Sequence, residues 1–555
     1  LLHRCTIWNG DEVHWVDVIA EDLLKNGKVH VLASGTSISG VIHIGNAGDV
    51  IMAEAIARSI KEKGGKAKLV WIMDDVDPLG KIPIQVQQDF KQYIGRPLSD
   101  VPSPDGKLSS YPAFFAKDFL GELKQIGVEP EVLSGRKMYR DGIYDVNAKK
   151  ALENGEKIKK ILKDISGSEK GPEWLPFDPI CEKCGKIAPT EAYAFVDGKI
   201  KYKCIGGVAK KNKIEGCGFE GECGLRNGKL TWRVEWAARW QALGVTCEPF
   251  GKEHSAAGGS YDTSKVIVKD VFGGEPPYPV LYEHIQVDGA KMSSSVGNVL
   301  TLSDMLSIIP PEVVRYFYFR TKPNKHKDLK TRMKKGTKYS LDDMRSYLME
   351  ALLKFADEFE RVERIYFGNE QATAQEDEGD IKRTYELSQV SKVPSKFFQV
   401  PYSHLVTVAQ ITEDWKKARE IIGRNVELVG LDKETEDKLR LKCEKALYYV
   451  KKLAPADTKF TLLPALTPEI KAQLTEGHKK VLKGFLETGL TASWKADALH
   501  TAVHQAREKA GQEPKVAFQA LYLVLLGKTT GPRLGHFMAS LEKDWVMKRI
   551  KEAVG

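Results

Sequence analysis

What the 555-residue chain lacks narrows it first. No apolar run approaches the roughly 20 residues of a membrane span. The opening stretch LLHRCTIWNGDEVHW has no signal-peptide apolar core, and its missing initiator Met points to a trimmed start. A cytoplasmic protein without membrane contact is therefore expected. Cysteine is scarce, with eight in all, which excludes a disulfide framework. Five of the eight lie between Cys181 and Cys223, whereas Cys5, Cys247 and Cys443 are scattered, so the cluster reads as metal ligands. A large charge of one sign is missing too. A formal net charge of +9 suits a polyanionic partner without demanding one. No internal repeat is evident. Apolar content of 42% and charged content of 29% are those of an ordinary soluble protein, and the length calls for three or four domains.

The stretch KVHVLASG is a β-branched run ending at Gly35, and TSISGVIHIGN follows it as a Gly-containing loop. AGDVIMAEAIARSIKEKGG then carries Val50, Ala53, Ala57 and Ile60 at helical spacing and stops at Gly64–Gly65. AKLVWIMDD is a second strand, ending in carboxylates. Strand, loop, helix and strand make a βαβ unit, so the fold class is α/β, a doubly wound parallel sheet with ligands at the carboxyl ends of its strands. Residues 80–170 read as mostly helical. Residues 174–230 are rich in Gly and Cys, with a hairpin at Asp197–Gly198. Strand signals return in VTCEPFG and PVLYEHIQVD, and beyond Pro311 the chain reads as helical almost to its end. The acidic, aperiodic stretch Gly368 to Asp380 reads as a solvated linker.

Chemistry concentrates in two loops. A helix N-terminus binds anions through its free N–H groups and dipole. At VIHIGN, Gly40 and Gly45 let backbone approach a phosphate, and His43 and Asn46 add donors for charge developing on an α-phosphate. Far along the chain, GAKMSSSVGN offers Lys291, a point charge on a long stem, with Ser293, Ser294 and Ser295 as small donors on a flexible loop. Such a loop can close over departing pyrophosphate. Alone, the first would better suit a core histidine beside two turn glycines, and the second a polar surface turn. As an ordered pair they are far more specific. In MDDVD, Asp74, Asp75 and Asp77 follow the second strand, where carboxylates neutralise a cation or cap a turn. One buried there needs a positive partner. No Arg occurs in VLASGTSISG, which argues against an acidic substrate.

HIGN and KMSSS resemble the two signature motifs of class I aminoacyl-tRNA synthetases. That resemblance implies ATP-dependent activation of an amino acid and its transfer to a tRNA 3′ end. The whole order of pieces, among them SGTSISGVIHIGN, MDDVD, GKIP, LTWRVEWAARW, GKEH, SYDT, LYEHI, KMSSSVGN and VERIYFG, is similar to the class I lysyl-tRNA synthetases over at least residues 12–460. The resemblance implies a Rossmann-type catalytic domain with a zinc-containing insertion and all-α C-terminal domains. It implies L-lysine and tRNA-Lys as partners, ATP with Mg²⁺ as substrate, activation that needs tRNA, and a monomer. It places ATP on Gly40, His43, Gly45, Asn46, Gly251, Glu253, His254, Lys291, Met292 and the three serines, with His43, Asn46 and Lys291 catalytic. It places lysine on Gly35, Ser37, Trp232, His254 and Tyr282, with Asp74 anchoring an ammonium group. The rival readings are a cysteinyl, glutamyl or arginyl enzyme of the same class, or a non-catalytic tRNA-binding protein on this scaffold. Three departures from the family stand out: Ser37–Ile38 for Thr-Pro, Glu235–Trp236–Ala237 for Asp-Trp-Pro, and Val296 where a Lys often follows the serines.

In the insertion, Cys181 and Cys184 form a Cys-x2-Cys pair, joined by Cys204 and by Cys217 in preference to Cys223. Four thiolates suit a structural, tetrahedral zinc. The loop IGGVAKKNKIEG between the last two would bulge out. The expected domains are 12–320, catalytic, with an insertion at 80–235 and its zinc subdomain at 174–230; 321–384, a helical stem-contact domain; and 385–555, an all-α anticodon-binding domain. The basic run Thr321 to Lys338 is suited to tRNA phosphates. Trp494, His504 and Phe537 are candidate stacking platforms for unpaired bases.

Overall fold

The computed structural model describes residues 13–83, 86–209, 212–292, 299–334 and 336–555. Its central sheet has five parallel strands: β1 (Val29–Thr36), β2 (Lys66–Met73), β3 (Glu131–Ser134), β4 (Cys247–Gly251) and β5 (Tyr278–Tyr282). The spatial order is β5-β4-β1-β2-β3. Leu32 on β1 is in register with Leu69 on one side and Cys247 on the other. The chain thus winds outward from β1 and later returns to its opposite edge. This leaves a switch point at the carboxyl ends of β1 and β4, the place where doubly wound sheets bind ligands. The expected α/β class is what the fold has.

Between β1 and β2 runs helix α1 (Ile44–Glu62), and Val50, Ala53, Ala57 and Ile60 are all buried on it, as their spacing predicts. The helix begins earlier than the sequence suggests. His43 is its N-cap and its side chain accepts from the Gly45 N–H, so HIGN is the first turn itself and not a loop before it.

The Gly- and Cys-rich region is built of short antiparallel strands. Thr190–Val196 and Lys199–Cys204 form the hairpin expected at Asp197–Gly198. Gly228–Leu230 pairs with Phe177–Pro179 and leads directly into helix α2 (Trp232–Leu243).

By contact density the chain divides into two units. One comprises Leu1–Ser303, Val314–Asp328 and Ala372–Val393; the other comprises Asp304–Val313, Leu329–Gln371 and Pro394–Gly555. These divisions differ from the expected breaks at 320 and 384. Glu378–Ser388 is a helix of the first unit because Arg383 pairs with Asp17 at 2.8 Å and the buried Arg315 donates to the Leu387 carbonyl at 2.9 Å. Glu378 to Asp380, read as linker, form the first turn of that helix behind the N-cap Asp377, where carboxylates favour the helix dipole.

The second unit is helical, with a core running from Phe460 to Ala553. Phe537 is fully buried in that core, so it cannot be a stacking platform. Trp494 is half-buried and donates its indole N–H to the Leu541 carbonyl at 2.8 Å. The basic run is not a uniform solvated face either. Lys327 is buried, and Arg332 is held by Glu350 at 2.6 Å and Asp457 at 2.5 Å. Among the described residues no helix is long and apolar enough to cross a membrane.

Candidate active site

The His43 turn meets the described flanks of the second signature segment, Lys291 and Leu300, at the carboxyl edge of the sheet. The Ile44 N–H, in the first turn of α1, donates to the Leu300 carbonyl at 2.9 Å, and the Tyr318 hydroxyl donates to the Ile44 carbonyl at 2.7 Å. Lys291 lies close enough to His43 to depress its pKa, after the larger effect of burial. His43 is therefore neutral near pH 7. Because its Nδ1 accepts from the Gly45 N–H at 3.1 Å, the ring proton sits on Nε2 and is free to donate outward. A Cβ on residue 45 would stand 2.9 Å from that ring, which is why glycine is needed there. Asn46 shares this turn, and Gly40 lies against Pro83.

Lys291 contacts His284 Nε2 at 3.3 Å, and His284 Nδ1 lies 3.6 Å from Glu253, whose carboxylate folds over Gly251. Lys252 pairs with Glu283 at 2.5 Å. Met292 is buried. Ser293, Ser294 and Ser295, with Val296, lie outside the described residues.

The expected lysine ligands collect on the other side of the same edge. Trp232 opens α2, stacks on Trp236 at 5.3 Å and faces His254 at 5.9 Å. Its indole N–H donates to Ser260 at 3.3 Å. Gly35 is the penultimate residue of β1, where an added Cβ would stand 2.8 Å from Arg239 and 3.3 Å from Asp74. Tyr282, at the end of β5, hydrogen-bonds the Asp49 carboxylate.

Asp74 has a positive partner, but a protein one. Its carboxylate is paired with the guanidinium of Arg239, which is 1% exposed. The sequence argument that no Arg serves the first loop holds for the loop alone, because Arg239 reaches it from α2. Asp75 accepts from the Ser134 hydroxyl at 2.6 Å and the Arg136 N–H at 2.7 Å, so it caps the helix Gly135–Arg140. Asp77 is paired with buried Lys229 at 2.6 Å.

Sequence reasoning missed Asp49. It lies six residues beyond His43 on α1, and its buried Oδ1 lacks a hydrogen-bond partner among the described residues. Burial pushes its pKa well above the usual carboxylate range, and nearby Glu248 and Glu253 add to the rise. The available signal was a carboxylate between Gly48 and Val50 on an otherwise apolar helix face.

The cysteine cluster is assembled as expected. The sulfurs of Cys181, Cys184, Cys204 and Cys217 all lie within 4.8 Å of one another, with Cys181–Cys217 and Cys184–Cys204 at 3.7 Å. A tetrahedron with metal–sulfur bonds of about 2.3 Å requires sulfurs about 3.8 Å apart, so the donor set fits zinc. The long gap between Cys204 and Cys217 is taken up by a hairpin, Gly206–Ala209 with Asn212–Glu215, which returns the Cys217 N–H to 3.4 Å from the Cys204 sulfur. Cys223 is buried on the neighbouring strand Glu220–Cys223, outside the cluster.

A family model described as tRNA synthetases class I (K) matches residues 13–391, and an anticodon binding domain model matches residues 443–554. The lysine–tRNA ligase of Archaeoglobus fulgidus is 38% identical over 545 residues, 98% of this chain and all of that one. Those of Methanosphaera stadtmanae and Methanocaldococcus jannaschii are 36% and 37% identical, each over 97% of this chain and 99% of its own.

Proposed function

The chain belongs to the class I (K) tRNA synthetases, and from that premise we propose that it is a lysine–tRNA ligase, activating L-lysine with ATP and esterifying it to the 3′-terminal ribose of tRNA-Lys. The near full-length likeness to lysine–tRNA ligases carries this reading. The meeting of the His43 turn with the Lys291 segment supports its chemistry.

ATP enters as its magnesium complex, with the phosphates over the first turn of α1. The lysine carboxylate attacks the α-phosphorus in line; an O–P bond forms, the α–β bridge breaks and pyrophosphate leaves. His43 donates from Nε2, and Asn46 adds a second donor, to the charge growing on the α-phosphate. Lys291 leaves His284 for the departing pyrophosphate. Gly251, Glu253 and His254 hold the nucleoside, with Met292 and the three serines completing the nucleotide loop. Lysine lies along Gly35 and Ser37, against Trp232, His254 and Tyr282. With Asp74 neutralised by Arg239, the unpartnered oxygen of Asp49 takes over the anchoring of an ammonium group.

Zinc held by the four clustered cysteines would tie the insertion together, with no part in the reaction. Residues 385–555 would carry the anticodon end, as the model matched over 443–554 suggests, and residues 321–384 would meet the tRNA stem.

The test is ATP–pyrophosphate exchange across a panel of amino acids with tRNA present. Lysine alone should support exchange. Exchange with cysteine, glutamate or arginine instead, or none with any amino acid, would overturn the reading.

A further inference from the structure

One ammonium group joins the two walls of the amino-acid pocket. Lys229 is 4% exposed and sits on the short strand Gly228–Leu230, contributed by the cysteine-bearing insertion. Its Nζ is 2.6 Å from Asp77 and 2.7 Å from Glu235, which is 2% exposed. Asp77 in turn accepts a hydrogen bond from the side chain of Ser37, in the first loop. Glu235 stands on α2 between Trp232 and Arg239, at spacings of three and four residues, so the three share one helix face. Arg239 holds Asp74 beside Gly35. The loop Gly35–Ser37 and the Trp232 wall are therefore tied at two points, and at one of them the tie is a single buried lysine.

We propose that Lys229 is a positioning residue for amino-acid recognition: by bridging Asp77 and Glu235 it fixes the separation of the first loop from the Trp232 wall, and with it the side-chain length the pocket accepts. The proposal rests on the lysine reading above. The first loop lacks a proline here, since Ile38 follows Ser37, so its shape depends on such ties from outside. A pocket separates ligands differing by one methylene by only about 10–200-fold, and that margin is lost if the walls can drift.

Removing Lys229 alone would strand two buried carboxylates. The test is therefore the neutral, volume-matched triple variant Lys229→Met, Asp77→Asn, Glu235→Gln, beside the single variant Asp77→Asn, which keeps the lysine and weakens its hold on Ser37. Both are assayed in tRNA-supplemented exchange with lysine and with ornithine, alongside KM for ATP and thermal melting. A folded triple variant should show lysine KM raised at least tenfold and a lysine-to-ornithine preference cut at least fivefold, with ATP KM within twofold. Asp77→Asn should move the same quantities less. Should the triple variant not fold, Asp77→Asn decides alone. Unchanged lysine KM and preference in the folded variant, or a rise in ATP KM to match, would overturn the proposal. If the wild type activates a different amino acid, the lysine reading fails, while the same rise in KM for that amino acid would still uphold the role of Lys229.

Discussion

Asp49 and Asp74 are the two candidate anchors for a substrate ammonium, and their surroundings predict opposite phenotypes. Asp49→Asn removes a carboxyl group whose buried Oδ1 has no hydrogen-bond partner among the described residues, so folding loses little from its removal. Burial holds its pKa high, and an incoming cation would restore the charged form. A hydrogen bond to a charged group contributes about 1.5–3 kcal/mol. Removing that charge should therefore raise lysine KM by about 12- to 150-fold, with ATP KM unmoved. Asp74→Asn instead deprives Arg239, 1% exposed, of its counter-ion. Breaking a buried pair in this way costs about 3–5 kcal/mol, so the melting midpoint should fall by on the order of 5 °C or more. Steady-state exchange with lysine varied, next to thermal melting of each variant, separates the two. If Asp49→Asn leaves lysine KM within twofold of wild type while Asp74→Asn raises it at unchanged stability, the assignment is wrong and Asp74 is the anchor.

His43→Ala should lower kcat by about 10²–10³ through loss of one donor to the α-phosphate, with only about 1 kcal/mol of stability lost from the N-cap; unchanged turnover would refute its role. Cys184→Ser should abolish metal content measured by atomic emission and lower the melting midpoint, whereas a metal-free wild type would refute the zinc assignment. Gly45→Ala should reduce turnover more than stability, because the added methyl stands 2.9 Å from the His43 ring and must displace it. His404 is buried, neither ring nitrogen has a hydrogen-bond partner among the described residues, and burial lowers its pKa from 6.5 to about 4. The unfolded chain thus takes up the proton first. Stability is complete above pH 6.5, declines as pH falls towards 4 and levels off below, a loss of about 3 kcal/mol from this group. Denaturant titrations from pH 7 to 4 should show a correspondingly smaller decline for His404→Leu; an identical decline would refute the attribution.

What the sequence could reveal was local. The βαβ unit, the hairpin at Asp197–Gly198 and the cysteine set each depend on spacing within a few dozen residues, and each formed as its pattern predicts. The start of α1 was misplaced by a few residues because Gly45 and Asn46 look like loop formers. The His43 cap, a side-chain contact, is what makes them a first turn. The MDDVD acids show the limit more sharply. From sequence they are three equivalent carboxylates. In the fold one caps a helix, and two meet cations far along the chain, Arg239 and Lys229. Partners at that separation are set by how α2 and the strand before it pack on the sheet, which no local pattern encodes.

The charge balance of the pocket bears on which amino acid belongs there. Asp49, Asp74, Asp77, Glu235 and Glu248 belong to one electrostatically connected group of carboxylates, which Glu253 and Asp178 extend, and among the described residues Arg239 and Lys229 are the buried cations set against it. The carboxylates outnumber the cations, so the group carries an excess of negative charge if all ionise. The fold resists that: burial raises the pKa values of Asp49, Glu235 and Glu248, even though Glu248 accepts from the indoles of Trp236 and Trp240 at 3.1 and 2.6 Å. A glutamate side chain would enlarge the excess, and cysteine would leave its side-chain end unanswered. A substrate with two cationic groups relieves it. Between lysine and arginine charge does not choose, and the distinction passes to shape: a compact ammonium fits a site where one carboxylate oxygen and one tyrosine hydroxyl converge, whereas a planar guanidinium seeks a paired, forked acceptor. Asp74, which could offer such an acceptor, is already paired with Arg239.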